Sequence, residues 1–182
     1  MKPQPMYRNI LLSEEITCSA VEKVINTIFS INYDDDQKEA DYKDFTREPI
    51  FLFINSVGGG AYDALALCDV INRSKTPVYT IALGCTMSAG LLIYLYGHKR
   101  LVGYNSTLMY HDVSSGMHGK SEYVKQELKE MQRIADIMNV RMVSTSKIEM
   151  TTLRNYIDRK AEWYIDAAHA LDLHLADGYY EG

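Results

Sequence analysis

The sequence predicts one α/β domain with mostly parallel strands, and three observations support that prediction. The chain has 182 residues, a length typical of a single domain. Segments rich in β-branched and aromatic residues alternate with segments whose apolar residues recur at helical spacing. Glycines mark two of the junctions between a strand and a helix, at 57–60 and 84–90. Because helices that connect parallel strands produce such an alternation, we treat 1–182 as one layered domain.

The first third of the chain predicts a strand, a helix, a loop and a second strand. "RNILLSE" (8–14) is the first strand. The helix that follows has a regular apolar stripe, formed by Val21, Val24, Ile25 and Ile28. Residues 32–48 are acidic and almost without aliphatic side chains, which predicts a solvated loop. "PIFLFINS" (49–56) then predicts a buried strand.

The middle of the chain predicts two strand–turn–helix units. "VGGG" (57–60) breaks the strand, and one face of the next helix carries Leu65, Cys68 and Ile71. "PVYTIALG" (77–84) predicts a strand and "SAGLLIYLYG" (88–97) a helix. The run 81–97 is nearly long enough to cross a membrane. Its internal glycines and hydroxyl residues favour a strand, a tight turn and a helix instead.

The last third contains a strand that ends near His111, a Gly/Ser-rich segment at 114–120, and the longest helix. Ser121 is a good N-cap for that helix. Its apolar residues recur at three- and four-residue steps: Val124, Leu128, Met131, Ala135, Met138 and Met142. Either the core of the same chain or a neighbouring subunit covers this stripe. A short helix, the extended "AEWYI", and a helix opened by Asp166 complete the chain.

Composition excludes several classes of function. The net charge of −5 and the pI near 5.5 argue against a binder of nucleic-acid backbones, which needs a basic face. Three cysteines without CxxC spacing make a disulfide framework or a zinc site improbable, so we expect no metal and a reducing cytoplasm. The N-terminus has no apolar segment of the secretory type.

Ser88 is a polar residue in the most apolar stretch of the chain, and two interpretations fit it. A serine at a strand-to-helix turn can be a nucleophile, because the turn exposes its hydroxyl and the helix offers free N–H groups for an oxyanion. The N–H of Ala89 is then a candidate oxyanion donor. The same serine can equally be a plain helix N-cap. The segment "GCTMSAG" is not GxSxG, since Thr86 occupies the first glycine position.

The sequence also offers candidates for the second oxyanion donor, the general base and the acid of a serine-hydrolase site. The glycine turn "NSVGGG" (55–60) lets a backbone approach a ligand and could supply a second oxyanion donor; without Lys-Ser/Thr or GxGxxG, it is a weak phosphate-binding candidate. Among five histidines, His111 at the end of a strand suits a general base best, although a strand-end histidine is often structural. Acidic residues are too many for the pattern to select the one that orients the imidazole.

Four segments in the right order resemble the proteolytic subunit of Clp protease. They are "IFLFINSVGGGAYDALALCDVI", "GCTMSAG", "NSTLMYHDVSSGMHGKSEY" and "AEWYIDAAHALDLHLADG". The resemblance covers roughly residues 48–178 and is weaker over 7–30. It implies the ClpP/crotonase-like fold, which is a repeated β-β-α core with a protruding handle of a strand and a long helix.

The resemblance also implies roles for individual residues. Ser88 falls on the nucleophile and His111 on the general base, while Gly59 and Ala89 fall on the oxyanion donors. Residues 112–147 correspond to the handle that lines the substrate channel and stacks two rings. The substrate-binding positions carried over are Gly58, Gly60, Ser114 and Gly116.

The third catalytic residue is a choice between two acids. Alignment on "WYIDAAHA" puts Glu162 where the family has its aspartate, and a glutamate can accept the imidazole N–H. Asp158 is the alternative, although an acid at that place belongs to an intersubunit contact in the family. Two more departures are Val57 for the proline of the glycine turn and Asp112 for the glutamine after the histidine.

The resemblance implies a serine-type endopeptidase that cleaves extended or unfolded peptides inside a homo-oligomeric chamber, either a heptamer or a stacked tetradecamer. It implies no cofactor. Only a short segment precedes the strand at Arg8, whereas the family has axial loops there, so partnership with an AAA+ unfoldase is doubtful. Two other readings remain: a catalytically silent ring subunit, and a crotonase-like acyl-CoA enzyme with a similar core.

Overall fold

The computed structural model describes residues 8–111 and 121–181, and over these ranges the chain forms seven strands and six helices. The strands are β1 (Asn9–Leu12), β2 (Ile50–Ser56), β3 (Val78–Met87), β4 (Lys99–Val102), β5 (Thr107–Tyr110), β6 (Trp163–Asp166) and β7 (Gly178–Tyr179). The helices are α1 (Cys18–Asp41), α2 (Ala61–Arg73), α3 (Ala89–Leu95), α4 (Ser121–Ser144), α5 (Met150–Asp158) and α6 (Ala167–Asp172). The predicted α/β class with parallel pairing is confirmed.

The sheet places the ends of β2, β3 and β5 side by side. Its order is β1-β2-β3-β4-β7, and all of these neighbours are parallel. β3 also pairs with β5 in parallel, and β5 pairs with β6 in antiparallel fashion. Ligand sites of parallel sheets form beyond the carboxyl ends of the strands, so this common edge is where a site is expected.

β3 has two successive partners on the same side. Tyr79–Ala82 pairs with β4, and Cys85–Met87 pairs with β5. The sequence predicted a strand ending at residue 84 and one further strand ending near His111. β3 instead continues to Met87, and the second region divides into β4 and β5. This division lets one long strand lead directly to Ser88.

The prediction of a solvated acidic loop over 32–48 is wrong for its first part, because α1 continues to Asp41. The buried face of the helix runs on from Ile28 to Ile31 and Asp35 at three- and four-residue steps. Asp35 is fully buried because it forms an ion pair with Arg8 and accepts a 2.7 Å hydrogen bond from the Thr76 hydroxyl. A charged side chain thus occupies a core position of the helix.

α4 packs on the core by its C-terminal half. Ala135, Met138 and Met142 are buried, whereas the side chain of Leu128 is 48% exposed. Arg141 donates from Nε and from Nη2 to the carbonyl oxygen of Leu95, at 3.0 and 2.8 Å, and stacks on Tyr96. These contacts hold α4 against the C-terminal end of α3.

Within the described ranges, no helix combines the length and the apolar character that crossing a membrane requires.

Candidate active site

Ser88 joins β3 to α3 in a conformation that few residues other than glycine adopt. Its φ is 52° and its ψ is −120°. Such a backbone costs about 1–3 kcal/mol and persists only where the surroundings impose it. The Ser88 N–H donates to the Met109 carbonyl at 3.0 Å, and its carbonyl accepts from the Leu92 N–H at 3.1 Å. The hydroxyl makes no capping bond to α3, although Ser88 lies at the N-cap position.

His111 brings its ring to that hydroxyl. It follows β5 directly, and the parallel pairing of β3 with β5 places the ends of the two strands together. The His111 Nε2 lies 2.8 Å from Ser88 Oγ, which is hydrogen-bonding distance. A serine and a histidine 23 residues apart in sequence therefore form the pair that acyl-transfer chemistry needs.

The glycine turn lies against Ser88 from the other side. Gly58 has φ 107°, and a Cβ built on it would be only 2.8 Å from the Ser88 Cβ and 3.2 Å from the Ala89 nitrogen. The Gly58 carbonyl accepts from the Ile16 N–H and the Gly60 N–H donates to the Ile16 carbonyl, which ties the turn to the segment after β1. This close approach is possible only without a side chain at residue 58.

Two backbone amides remain available beside the serine. Within the described residues, the N–H groups of Gly59 and Ala89 donate no hydrogen bond. Ala89 is the first residue of α3, where N–H groups have no partner inside the helix and the helix dipole favours negative charge. Such a pair of amides is what an oxyanion requires.

A cavity of about 600 Å³ opens over these groups, and its walls come from the turn and from α3, β5 and α4. Its larger apolar lining residues are Val57, Leu92, Met109, Met131, Ile134 and Met138. Three carboxylates also face it, those of Glu15, Glu127 and Glu130. An apolar cleft with a few convergent polar groups is the usual form of a binding site.

Glu130 is held at the wall of the cavity. It accepts from the Tyr62 hydroxyl at 2.8 Å and from the Nε and Nη2 of Arg133 at 2.8 and 2.7 Å. These bonds, of which the Arg133 bond is the stronger cause, lower the pKa of Glu130 to about 2. The contact between Tyr62 and Glu130 joins α2 to α4 across the cavity at neutral pH.

Neither candidate for the third acid contacts His111. Among the side chains of residues 8–111 and 124–181, no carboxylate lies within 4.0 Å of its ring nitrogens. Glu162 is exposed and accepts a 2.5 Å hydrogen bond from the Tyr164 hydroxyl, and Asp158 is exposed at the end of α5. The register of β5 and β6 pairs Tyr110 with Trp163, so one more step would put Glu162 opposite His111.

A family model described as Clp protease matches residues 5–181. The chain belongs to the Clp protease family. A relative from Treponema pallidum (strain Nichols), named "ATP-dependent Clp protease proteolytic subunit 2", is 29% identical over 176 residues, which is 96% of this chain and 82% of the relative. "ATP-dependent Clp protease proteolytic subunit 1" of Prochlorococcus marinus (strain NATL2A) is 24% identical over 175 residues, 95% of this chain and 83% of the relative.

A third relative matches a shorter part of the chain. "ATP-dependent Clp protease proteolytic subunit" of Pleurastrum terricola is 30% identical over 129 residues, which is 70% of this chain and 61% of the relative. This member of the Clp protease family therefore groups with proteases, and its layered α/β fold agrees with that grouping.

The structure brings together most of the site residues that the sequence predicted. Ser88, His111, Gly58, Gly59 and Ala89 all line one cavity. Gly60 lies in the same turn but donates to Ile16. Ser114 and Gly116 lie outside the described residues, as does the 112–120 part of the predicted handle.

Tyr62 and Glu130 are site residues that sequence reasoning missed. They are 68 residues apart in sequence, and the resemblance to the family gave neither of them a role. A weak signal existed for Glu130, because it stands three residues before Arg133 on a helix, a spacing that favours an ion pair. Nothing in the sequence indicated that this pair would face a tyrosine of α2.

Proposed function

We propose that this chain is a serine-type endopeptidase of the ClpP type, with Ser88 as nucleophile and His111 as general base. The observation that carries the proposal is the 2.8 Å separation of Ser88 Oγ and His111 Nε2, made by a serine at positive φ between a strand and a helix. Membership of the Clp protease family supports the same conclusion.

In the proposed mechanism His111 takes the Ser88 proton while Oγ attacks the carbonyl carbon of a peptide. The N–H groups of Gly59 and Ala89 stabilise the oxyanion of the tetrahedral intermediate. His111 then gives the proton to the leaving amine, and water hydrolyses the acyl-enzyme. Each of these groups lines the same cavity, which supports a single reaction centre.

The proposed substrates are extended or unfolded peptides. An extended peptide can add as a strand beside the glycine turn, with main-chain hydrogen bonds and alternate side chains in the cavity. The apolar walls, which include Met109, Met131 and Met138, suit side chains that folded proteins bury. The roles of Gly58, Gly60, Ser114 and Gly116 in substrate binding remain predictions.

We further propose a homo-oligomeric ring, a heptamer or two stacked heptamers, located in the cytoplasm. The relatives are named as proteolytic subunits of an ATP-dependent Clp protease, which favours an AAA+ unfoldase as partner over the expectation that such a partnership is doubtful. On α4, Leu128 and Val140 stay 48% and 59% exposed in the protomer, which supports a neighbour there. Sedimentation velocity at micromolar concentration tests the ring, and a monomer contradicts it.

Labelling with a fluorophosphonate tests the serine directly, because such probes modify a hydroxyl activated by a base. We expect modification at Ser88 together with hydrolysis of unfolded casein. Ser88→Ala should lower hydrolysis at least about a thousandfold, since the nucleophile is lost. Ser30→Ala is the control, since Ser30 is exposed on α1, and it should label as the wild type does. A wild-type protein that assembles but neither labels nor hydrolyses contradicts the proposal.

The second candidate is a catalytically silent ring subunit, and a specific observation favours it. Within the described residues no carboxylate reaches His111, and Glu162 is bonded to Tyr164 instead. A serine–histidine pair without its acid is a weaker catalyst. Comparing Glu162→Ala with Asp158→Ala in the labelling assay identifies the acid. Loss of rate only in Asp158→Ala rejects Glu162, and no labelling of the wild type supports the silent subunit.

A further inference from the structure

β2 and β3 shift their register by two residues just before the site. Ile54 pairs with Ala82, an offset of 28 residues, and Ser56 pairs with Thr86, an offset of 30. One residue of β2, Asn55, therefore faces three residues of β3. Gly84 lies within this bulge with φ 54°.

This shift decides which residue of β3 meets the glycine turn. At an offset of 28, Gly58 would lie level with Thr86; at an offset of 30 it lies level with Ser88. The observed contact agrees with the second case, because a Cβ on Gly58 would be 2.8 Å from the Ser88 Cβ. The bulge therefore brings the amide of the turn and the amide after Ser88 to the same place.

The side chain of Asn55 occupies the gap that the bulge leaves in the ladder. Its Oδ1 accepts from the Cys85 N–H at 3.2 Å, and its Nδ2 donates to Ser13 Oγ at 3.0 Å. A Cβ on Gly84 would be only 2.6 Å from the Asn55 Oδ1, which shows how closely the carboxamide approaches the bulge. After it, the Thr86 hydroxyl donates to the Ile54 carbonyl at 3.0 Å.

We propose that Asn55 is a positioning residue, whose carboxamide fixes the β3 bulge and thereby aligns Ser88 and Ala89 with the glycine turn. It does not line the cavity and acts through Cys85 and Gly84. The expected effect of Asn55 on the reaction rate at Ser88 rests on the proposed function. Its structural role rests only on the register of β2 and β3. It goes beyond the serine, the histidine and the two amides, since Asn55 touches none of the reacting atoms.

The test compares Asn55→Ala with Asn55→Asp, which keeps the acceptor for the Cys85 N–H. We expect Asn55→Ala to lower the second-order rate of fluorophosphonate labelling about tenfold, because the bond to the Cys85 N–H holds the bulge and the loss of one such bond corresponds to that order of effect. Asn55→Asp should stay within about threefold of the wild type. In peptide hydrolysis the loss should fall on kcat, with KM unchanged, because the substrate side-chain contacts remain.

Asn32→Ala is the matched control. The Oδ1 of Asn32 accepts from the Thr76 N–H at 3.1 Å, which is the same kind of bond at the opposite end of the sheet. It should lower the melting temperature without changing the labelling rate. Ser13→Ala removes only the other partner of Asn55 and should leave the rate within about twofold, since the bond to Ser13 does not involve β3.

Amide hydrogen exchange over residues 84–88 measures the local stability of the bulge and does not depend on catalysis. Exchange should be faster in Asn55→Ala and unchanged in Asn55→Asp. If Asn55→Ala labels and exchanges as the wild type does, or slows labelling no more than Asn32→Ala, the positioning role is wrong. If the wild type does not label at all, the proposed function fails, and faster exchange in Asn55→Ala alone then decides whether Asn55 holds the bulge.

Discussion

The polar groups at the two ends of the parallel sheet differ in whether they have hydrogen-bonding partners. At the end where β1, β2 and β3 begin, Asp35 is fully buried and its carboxylate has hydrogen-bonding partners. Arg8 forms an ion pair with it and also donates to the Glu48 carbonyl, and the Thr76 hydroxyl donates to it. Polar groups from four separate segments thus pair with one another, and the charge of Asp35 is neutralised by that of Arg8.

At the end where β2, β3 and β5 finish, polar groups are left available. In the described chain the N–H groups of Gly59 and Ala89 have no acceptor, and Ser88 keeps a positive φ. The Ser88 hydroxyl faces His111 instead of capping its helix. Unused donors and backbone strain both cost stability.

The difference separates residues that stabilise the fold from residues that suit a reaction. Groups that pair with one another serve the folded state, whereas groups kept without partners beside a cavity are free to bind what enters it. Substitutions at the first end should therefore change the free energy of unfolding, and substitutions at the second end should change the rate of labelling.

Outside the Ser88–His111 pair, the largest effect is expected for Gly58→Ala. Its Cβ would lie 2.8 Å from the Ser88 Cβ and 3.0 Å from the Met87 carbonyl oxygen, at a φ of 107° that disfavours alanine. The turn must move away from Ser88, so the fluorophosphonate labelling rate should fall about a hundredfold, as when one oxyanion donor is removed. Gly178→Ala is the control, because its Cβ meets only Leu101 at 3.7 Å. A rate for Gly58→Ala within threefold of the wild type would contradict the described geometry.

Asp35→Ala should cause the next largest change, in stability. It leaves Arg8 without its buried partner, so the free energy of unfolding at pH 7 should decrease by about 3 kcal/mol. Chemical denaturation measures this, with Asp44→Ala, an exposed acid in the loop after α1, as the control. The labelling rate per folded molecule should not change.

The difference in stability between the wild type and Asp35→Ala should depend on pH. Burial raises the pKa of Asp35, but hydrogen bonds from Arg8 and Thr76 outweigh burial and lower it below the usual 3.8. The stabilisation is therefore complete above pH 3.8 and is lost as the pH falls through the lower folded value. Wild type and Asp35→Ala should converge in stability at acid pH. A difference that is constant from pH 7 to below 3.8 would show that the carboxylate is not the cause.

The smallest effect compares Ser88→Gly with Ser88→Ala. Both remove the hydroxyl and should abolish labelling, but only glycine relieves the positive φ of 52°. Ser88→Gly should be the more stable of the two by about 1 kcal/mol. Thermal denaturation of the pair measures the strain at this position. Equal stabilities mean that Ser88 is not strained.

The sequence predicted the centre of the site because its signals are local. Ser88 follows a strand-like stretch and precedes an apolar helix, and His111 ends another strand, so the parallel sheet brings them together. The glycine turn was visible because positive φ at residues 58 and 59 requires glycine. The assignment of Ser88 as the nucleophile and His111 as the base came from the resemblance to a family.

Other features depend on partners that are distant in the chain. Asp35 looked like a loop residue because the arginine that permits its burial is 27 residues away. The pairing of Glu162 with Tyr164 could not be predicted, since the choice between this tyrosine and His111 depends on side-chain rotation at the end of β6. The β3 bulge escaped prediction because it changes register without changing the hydrophobic pattern.

Both ends of α3 are held by residues that come later in the chain. Ser88 at its start meets Met109 and His111, and Leu95 at its end meets Arg141. During synthesis, the serine therefore exists for more than twenty residues before any base can reach it. The contact at the end of the short helix can form only after nearly all of α4, up to Arg141, has been made. The Ser88–His111 pair therefore cannot form in a nascent chain before β5 has been made and paired with β3.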